Sequence, residues 1–83
     1  MSVEAIVVSR AQIGEMLAFA RAAAPRECCG LMGGSGRRVA TLYPLQNVAA
    51  NPLVAYEAAA ADLFAAQRRM RGRGEELLGI YHS

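Results

Sequence analysis

The sequence has no lysine and no tryptophan, one histidine, one aspartate, and only two cysteines among 83 residues. Each scarcity excludes something. All nine basic residues are arginine, and the net charge is only +2, so the chain does not have the balance of a dedicated nucleic-acid binder. Arg68, Arg69, Arg71 and Arg73 cluster, but Glu75 and Glu76 follow at once. That pattern suits a solvated helix end, where cations complement the macrodipole. The two cysteines, Cys28 and Cys29, are adjacent, and a bridge between neighbours needs strained geometry. A disulfide framework is excluded, which agrees with a reducing compartment. No apolar run approaches the roughly 20 residues of a membrane-spanning helix. Glu4 and the lack of a basic start argue against a signal peptide. A cytoplasmic protein with no membrane and no nucleic-acid partner is expected.

What is present is apolar. Apolar residues make up 54% of the chain and charged residues 19%, far too apolar for disorder. The length allows one small domain with a thin core, burying about 60% of its unfolded surface. No repeat, linker or internal boundary interrupts it.

Glu4 to Val8 reads as a short β-branched strand. Ser9 and Gln12 fit a capping box, so a helix follows, with Ile13, Leu17, Ala20 and Ala24 as its apolar stripe and Pro25 as its end. Cys28 to Gly33 reads as a buried strand, and Gly33-Gly34-Ser35-Gly36 as a hairpin turn. Arg38 to Leu45 is the return strand, with Val39, Thr41 and Tyr43 on one face and Ala40 and Leu42 on the other. After a loop from Gln46 to Pro52, a brief strand is expected over Leu53–Tyr56. A second helix is expected over Ala59–Arg71, with Leu63, Ala66 and Met70 inward. Leu77 to Tyr81 reads as a last strand. The order β-α-β-β-β-α-β predicts an α/β or α+β fold, a mixed β-sheet with two packed helices. Tyr43, Tyr56 and Tyr81 should pack on the core with wet hydroxyls. Met16, Met32 and Met70 read as core filler.

Candidates for chemistry are few. Nothing in the pattern positions His82 and Asp62 for a Ser-His-Asp triad. The glycine run lacks the lysine of a P-loop, and neither the dinucleotide fingerprint nor a His-Glu-x-x-His helix is present. Two strand ends remain: Pro25-Arg26-Glu27-Cys28-Cys29-Gly30 and Gly79-Ile80-Tyr81-His82-Ser83. If those strands were neighbours, Glu27 and His82 could share a pocket. An imidazole can bind metal, and a nearby carboxylate can take a proton from water. Taken alone, His82 reads as an ordinary surface histidine and Glu27 as a carboxylate at the start of a strand.

In order along the chain stand Pro25-Arg26-Glu27-Cys28-Cys29-Gly30-Leu31, then Tyr43-Pro44-Leu45-Gln46-Asn47-Val48-Ala49, then Arg71 through Gly79-Ile80-Tyr81-His82-Ser83. With these segments the sequence resembles the JAMM (MPN-domain) metalloprotease family, especially its stand-alone bacterial members. The resemblance implies a cytidine-deaminase-like MPN core, here C-terminally incomplete: residues 1–83 form a single partial domain lacking its C-terminal portion. It implies zinc as cofactor and hydrolysis of peptide or isopeptide bonds, with the tails of ubiquitin-like sulfur carriers as substrates. Glu27 matches the family's catalytic glutamate and His82 its first zinc ligand. Ser83 matches the spacer after that histidine. The family's second histidine, serine and aspartate have no counterpart in these residues. Cys28 and Cys29 read as small buried residues and not as ligands. The chain itself is therefore expected to hold zinc weakly or not at all and to have little peptidase activity. The competing expectation is a non-catalytic MPN-like scaffold that binds partner proteins. An uncovered apolar face or strand edge predicts a homodimer.

Overall fold

The computed structural model describes residues 5–83. Within them the elements are α1 (Arg10–Ala23), β1 (Cys29–Ser35), β2 (Arg38–Leu45), α2 (Ala60–Gly72) and β3 (Glu76–His82). The sheet order is β2-β1-β3, and both strand pairs are antiparallel. The α+β class with two helices on a sheet is as expected, but the three-stranded sheet is antiparallel and not mixed, because β1 pairs with its hairpin partner on one side and with the returning β3 on the other. No helix among the described residues is long and apolar enough to cross a membrane.

Local chemistry explains where α1 starts. The Gln12 backbone N–H donates to the Ser9 hydroxyl at 3.1 Å, and the Ser9 N–H donates to the Gln12 side-chain oxygen at 2.9 Å. This is the expected capping box, which satisfies two donors that the helix cannot. The rotation of α1 differs from expectation. Ile13 is 47% exposed and Leu17 50%. Met16 and Phe19 lie against Met32, Val39 and Tyr81 instead. The Gln12 side-chain amide donates to the Val39 carbonyl at 2.9 Å, which turns the Gln12–Met16–Phe19 face toward β2. A tertiary hydrogen bond thus outweighs the stripe read from spacing.

The central strand β1 is buried on both faces, as its apolar run suggested. It extends to Ser35, so the hairpin turn falls at Gly36 and Arg37, later than expected. Gly33 and Gly34 pair within the sheet, and Gly36 takes the positive φ of 60° that the turn needs. At Gly34 an added Cβ would lie 2.0 Å from the Arg38 carbonyl oxygen. A register shift there pairs Gly33 with Thr41 and Gly34 with Val39, leaving Ala40 without a partner. One extra residue inverts the alternation. Val39 therefore joins Leu42 and Met32 on the α1 side, and Tyr43 faces α2 with Leu31, Ala66 and Met70. Grouping Val39 with Thr41 and Tyr43 on one face was incorrect for this reason.

Two expected strands are also corrected. Of Glu4–Val8, Glu4 lies outside the described residues. Val7 forms an isolated parallel bridge to Arg38, its N–H donating to Arg37 at 2.6 Å and its carbonyl accepting from Val39 at 2.9 Å. This bridge supplies the only parallel pairing among the described residues. Leu53–Tyr56 is not a strand. The Val54 and Ala55 N–H groups fold back to the Asn51 carbonyl in a turn, and Val54 is 74% exposed. The Asn51-Pro52 pair favours that turn.

The second helix packs Leu63, Ala66 and Met70 on the core, as expected. Asp62 in its first turn accepts from the Gln46 N–H at 2.8 Å. The link from α2 into β3 is held by Glu75. Its carboxylate accepts from the Thr41 hydroxyl at 2.6 Å and, by a short bond, from the Tyr43 hydroxyl. Arg73 donates to that same Tyr43 oxygen at 3.2 Å and lies over the Tyr43 ring. The Tyr43 hydroxyl is thus bonded within the protein and not wet. Tyr81 departs further from expectation. Its hydroxyl is buried without a partner among the described residues, against Gly30, where no side chain competes for the space. Burial first, then Cys28, Cys29 and Glu15, push its pKa up to about 12.

Candidate functional site

The ends of β1 and β3 meet. Cys29 pairs with His82, and the ladder continues one residue further: the Ser83 N–H donates to the Cys28 carbonyl at 3.2 Å, and the Cys28 N–H donates to the Ser83 hydroxyl at 2.9 Å. Glu27 immediately precedes this pairing. Both expected site residues therefore stand at one end of the sheet, His82 on β3 and Glu27 two residues before β1, because the antiparallel register places the start of β1 beside the end of β3.

Their immediate surroundings differ. Glu27 is half-buried in a hollow of about 290 Å³, lined also by Ala22, Ala23, Arg26 and Asn47. His82 is exposed and borders a separate groove of about 240 Å³ with Ile13, Leu17 and Tyr81. Cys28 lines both hollows. The imidazole stacks on Tyr56, with ring centroids 4.4 Å apart and planes inclined by 22°.

Of the two cysteines expected to be buried, only Cys29 is; Cys28 is half-buried because it lies ahead of β1, between the two hollows. Cys29 is buried, with its thiol directed at the Leu45 carbonyl at 3.8 Å. Burial chiefly, with Cys28 and Asp62 adding, raises its pKa, so it remains a thiol near neutrality. A catalytic zinc takes three protein ligands and a water. Among the described residues no three His, Cys, Asp or Glu side chains are grouped to hold a metal ion. His82 is one imidazole, and Glu27 stands in a different hollow. These residues do not by themselves make a zinc centre.

Two further residues reach the site, and neither was singled out for a role. Asn47 donates from its side-chain amide to the Glu27 carbonyl at 2.8 Å. Tyr56 covers the His82 ring. Asn47 stood in a segment that carries the family resemblance and in a loop rich in turn-forming residues, where such side chains commonly bond to backbone, but neither assigned it a role. Tyr56 was expected to end a strand and pack on the core; with the turn at Asn51 in place of that strand it lies exposed, in neither core cluster, against His82.

Residues 9–83 match the family model described as prokaryotic homologs of the JAB domain. The chain is 36% identical over 61 residues to a desampylase of Haloferax volcanii, covering 71% of this chain and 44% of that protein. It is 38% identical over 78 residues to a probable TtuB-protein conjugate cleaving protease of Thermus thermophilus, covering 94% of this chain and 52% of that one. The chain spans about half the length of these curated relatives. A protein of Desulfitobacterium hafniense, solved in solution, superposes with a TM-score of 0.77 at 37% identity, over 89% of this chain and 53% of its own. The register that joins the Glu27 and His82 strands thus occurs in a chain that belongs to the prokaryotic JAB-domain family, the family its sequence resembles.

Proposed function

We propose that these 83 residues form the acid/base half of a JAB-type isopeptidase site acting on conjugates of ubiquitin-like proteins. The observation that carries the reading is the pairing of Cys29 with His82, which sets the imidazole two residues along from Glu27 on the neighbouring strand. The names of the relatives, a desampylase and a conjugate-cleaving protease, supply the substrate class. In this reading Glu27 takes a proton from the attacking water and returns it to the leaving amine. His82 is one metal ligand, and these residues do not supply the other two, so no step is routed through zinc. The chain alone is expected to bind zinc weakly and to turn over no substrate. Its free thiols suit the cytoplasm.

The alternative reading is a non-catalytic scaffold that binds partner proteins. A chimera separates the two. The part of the Haloferax volcanii desampylase outside the matched segment is joined after Ser83, and cleavage of a ubiquitin-like conjugate is assayed. The isopeptidase reading expects cleavage that Glu27→Gln lowers by about 10²- to 10⁴-fold. A folded chimera that binds the conjugate without cleaving it, or that cleaves equally well with Glu27→Gln, points to the scaffold.

Self-association belongs to the same reading. Strand β3 is an edge of the sheet among the described residues, and it exposes Leu77 and Ile80, the latter by 57%. An apolar edge invites pairing with a second copy. Sedimentation is expected to show a dimer, and a monodisperse monomer at high concentration contradicts it.

A further inference from the structure

We propose that Asn47 and Tyr56 are positioning residues of this site, and that the loop of residues 46–59 is a clamp fixing Glu27 and His82 relative to each other. The inference rests on the reading of Glu27 and His82 as the site, and adds what holds them in place.

The Asn47 amide uses its full bonding capacity, two donors and two acceptor lone pairs. The side-chain oxygen accepts from the Ala49 N–H and from the Glu57 N–H, each at 3.0 Å. The side-chain nitrogen donates to the Glu27 carbonyl at 2.8 Å and to the Ala55 carbonyl at 3.0 Å. Ala55 and Glu57 are the two neighbours of Tyr56 in the chain, so one side chain grips the backbone on both sides of the tyrosine. That grip directs the Tyr56 ring onto His82. The same side-chain nitrogen that holds Ala55 also holds Glu27. The loop supplies a second hold there, since the Glu27 N–H donates to the Pro52 carbonyl at 2.7 Å. Two backbone bonds close the loop on itself, from Val48 to Glu57 at 2.7 Å and from Ala59 to Gln46 at 3.1 Å.

The strand pair sets the backbone of His82 but does not reach Glu27. Glu27 lies before the first residue of β1, and His82 is exposed at the last residue of β3. Side chains at such ends keep wide rotamer freedom. The clamp holds Glu27 by its backbone N–H and carbonyl and His82 by its ring against Tyr56, and a catalytic group must be held in its productive geometry to act efficiently.

The test is NMR on the chain itself, reading the His82 ring-proton shifts and the amide exchange of Glu27. Stacking on Tyr56 displaces the imidazole protons upfield. Tyr56→Leu, at an exposed position, is expected to abolish that displacement with the Cys29–His82 cross-strand contacts intact. Asn47→Ala is expected to abolish it as well and to speed exchange at the Glu27 N–H, although residue 47 does not touch the imidazole. Asn47→Asp covers the case in which Asn47→Ala fails to fold. It keeps the acceptor bonds from Ala49 and Glu57 but sets a carboxylate against the Glu27 and Ala55 carbonyls. Slow exchange at Glu57 together with fast exchange at Glu27 is the expected pattern. His82 shifts and Glu27 exchange unchanged in the folded residue-47 variants overturn the proposal. None of these readings depends on turnover, so loss of the isopeptidase reading in the chimera and loss of the clamp are separate results.

Discussion

Glu75 shows how much of this fold hangs on single polar side chains. Burial disfavours its charge, but the Thr41 and Tyr43 hydroxyls and the Arg73 guanidinium outweigh that and lower its pKa below the ordinary 4.5. The carboxylate therefore stabilises the folded chain at neutral pH, and that contribution fades as pH falls from about 4.5 through the lowered folded value. Glu75→Ala deprives Thr41 and Tyr43 of their acceptor and is expected to cost about 1–2 kcal/mol. Urea unfolding at pH 7 checks the cost, and the difference between the two proteins should shrink in acid. Part of the site was legible at this scale. Glu27 and His82 stood out because a carboxylate and the sole imidazole fall at strand ends in a recognisable order. Asn47 and Tyr56 did not, because their roles depend on which backbone groups lie across the loop, and no spacing along the chain encodes that.

At the scale of elements, the features legible in sequence are those with local causes. The Ser9–Gln12 box sets the start of α1, and the spacing of Leu63, Ala66 and Met70 sets the inward face of α2. Both follow from residues three or four apart. The illegible features are tertiary. The rotation of α1 depends on a bond from Gln12 to Val39, 27 residues away. The reversed facing of Val39 depends on a bulge that requires β2 to be in place. Residues 53–56 carry strand-like side chains but find no strand partner, and turn chemistry decides their shape. The cap itself is testable. Ser9→Ala removes the acceptor for the Gln12 N–H and is expected to destabilise the chain by about 0.5–2 kcal/mol, read as a lower urea midpoint with the slope unchanged.

At the scale of the whole molecule, the sheet separates two small apolar clusters, one under each helix. Leu31, Tyr43, Ala66 and Met70 form one, and Met32, Val39 and Tyr81 the other. Strand β1 contributes to both and is the hub through which the two site residues are related. Large apolar side chains remain outside these clusters, among them Val54, Phe64 and Ile80. A chain of 83 residues has too little interior to enclose them all. The site occupies the end of the sheet where β1 begins and β3 finishes, with the clamp loop beside it. Glu27 and His82 border separate hollows that share Cys28, and the proposed site requires that an ion held by the His82 imidazole still lie close to the Glu27 carboxylate. The most direct measurement is paramagnetic broadening by Co²⁺ added to the chain, followed at the His82 ring and at every glutamate carboxyl carbon. Glu27 is expected to broaden together with His82 while Glu15 and Glu75 stay sharp, and His82→Ala to remove both effects. Broadening at His82 that leaves Glu27 as sharp as Glu75 contradicts that placement.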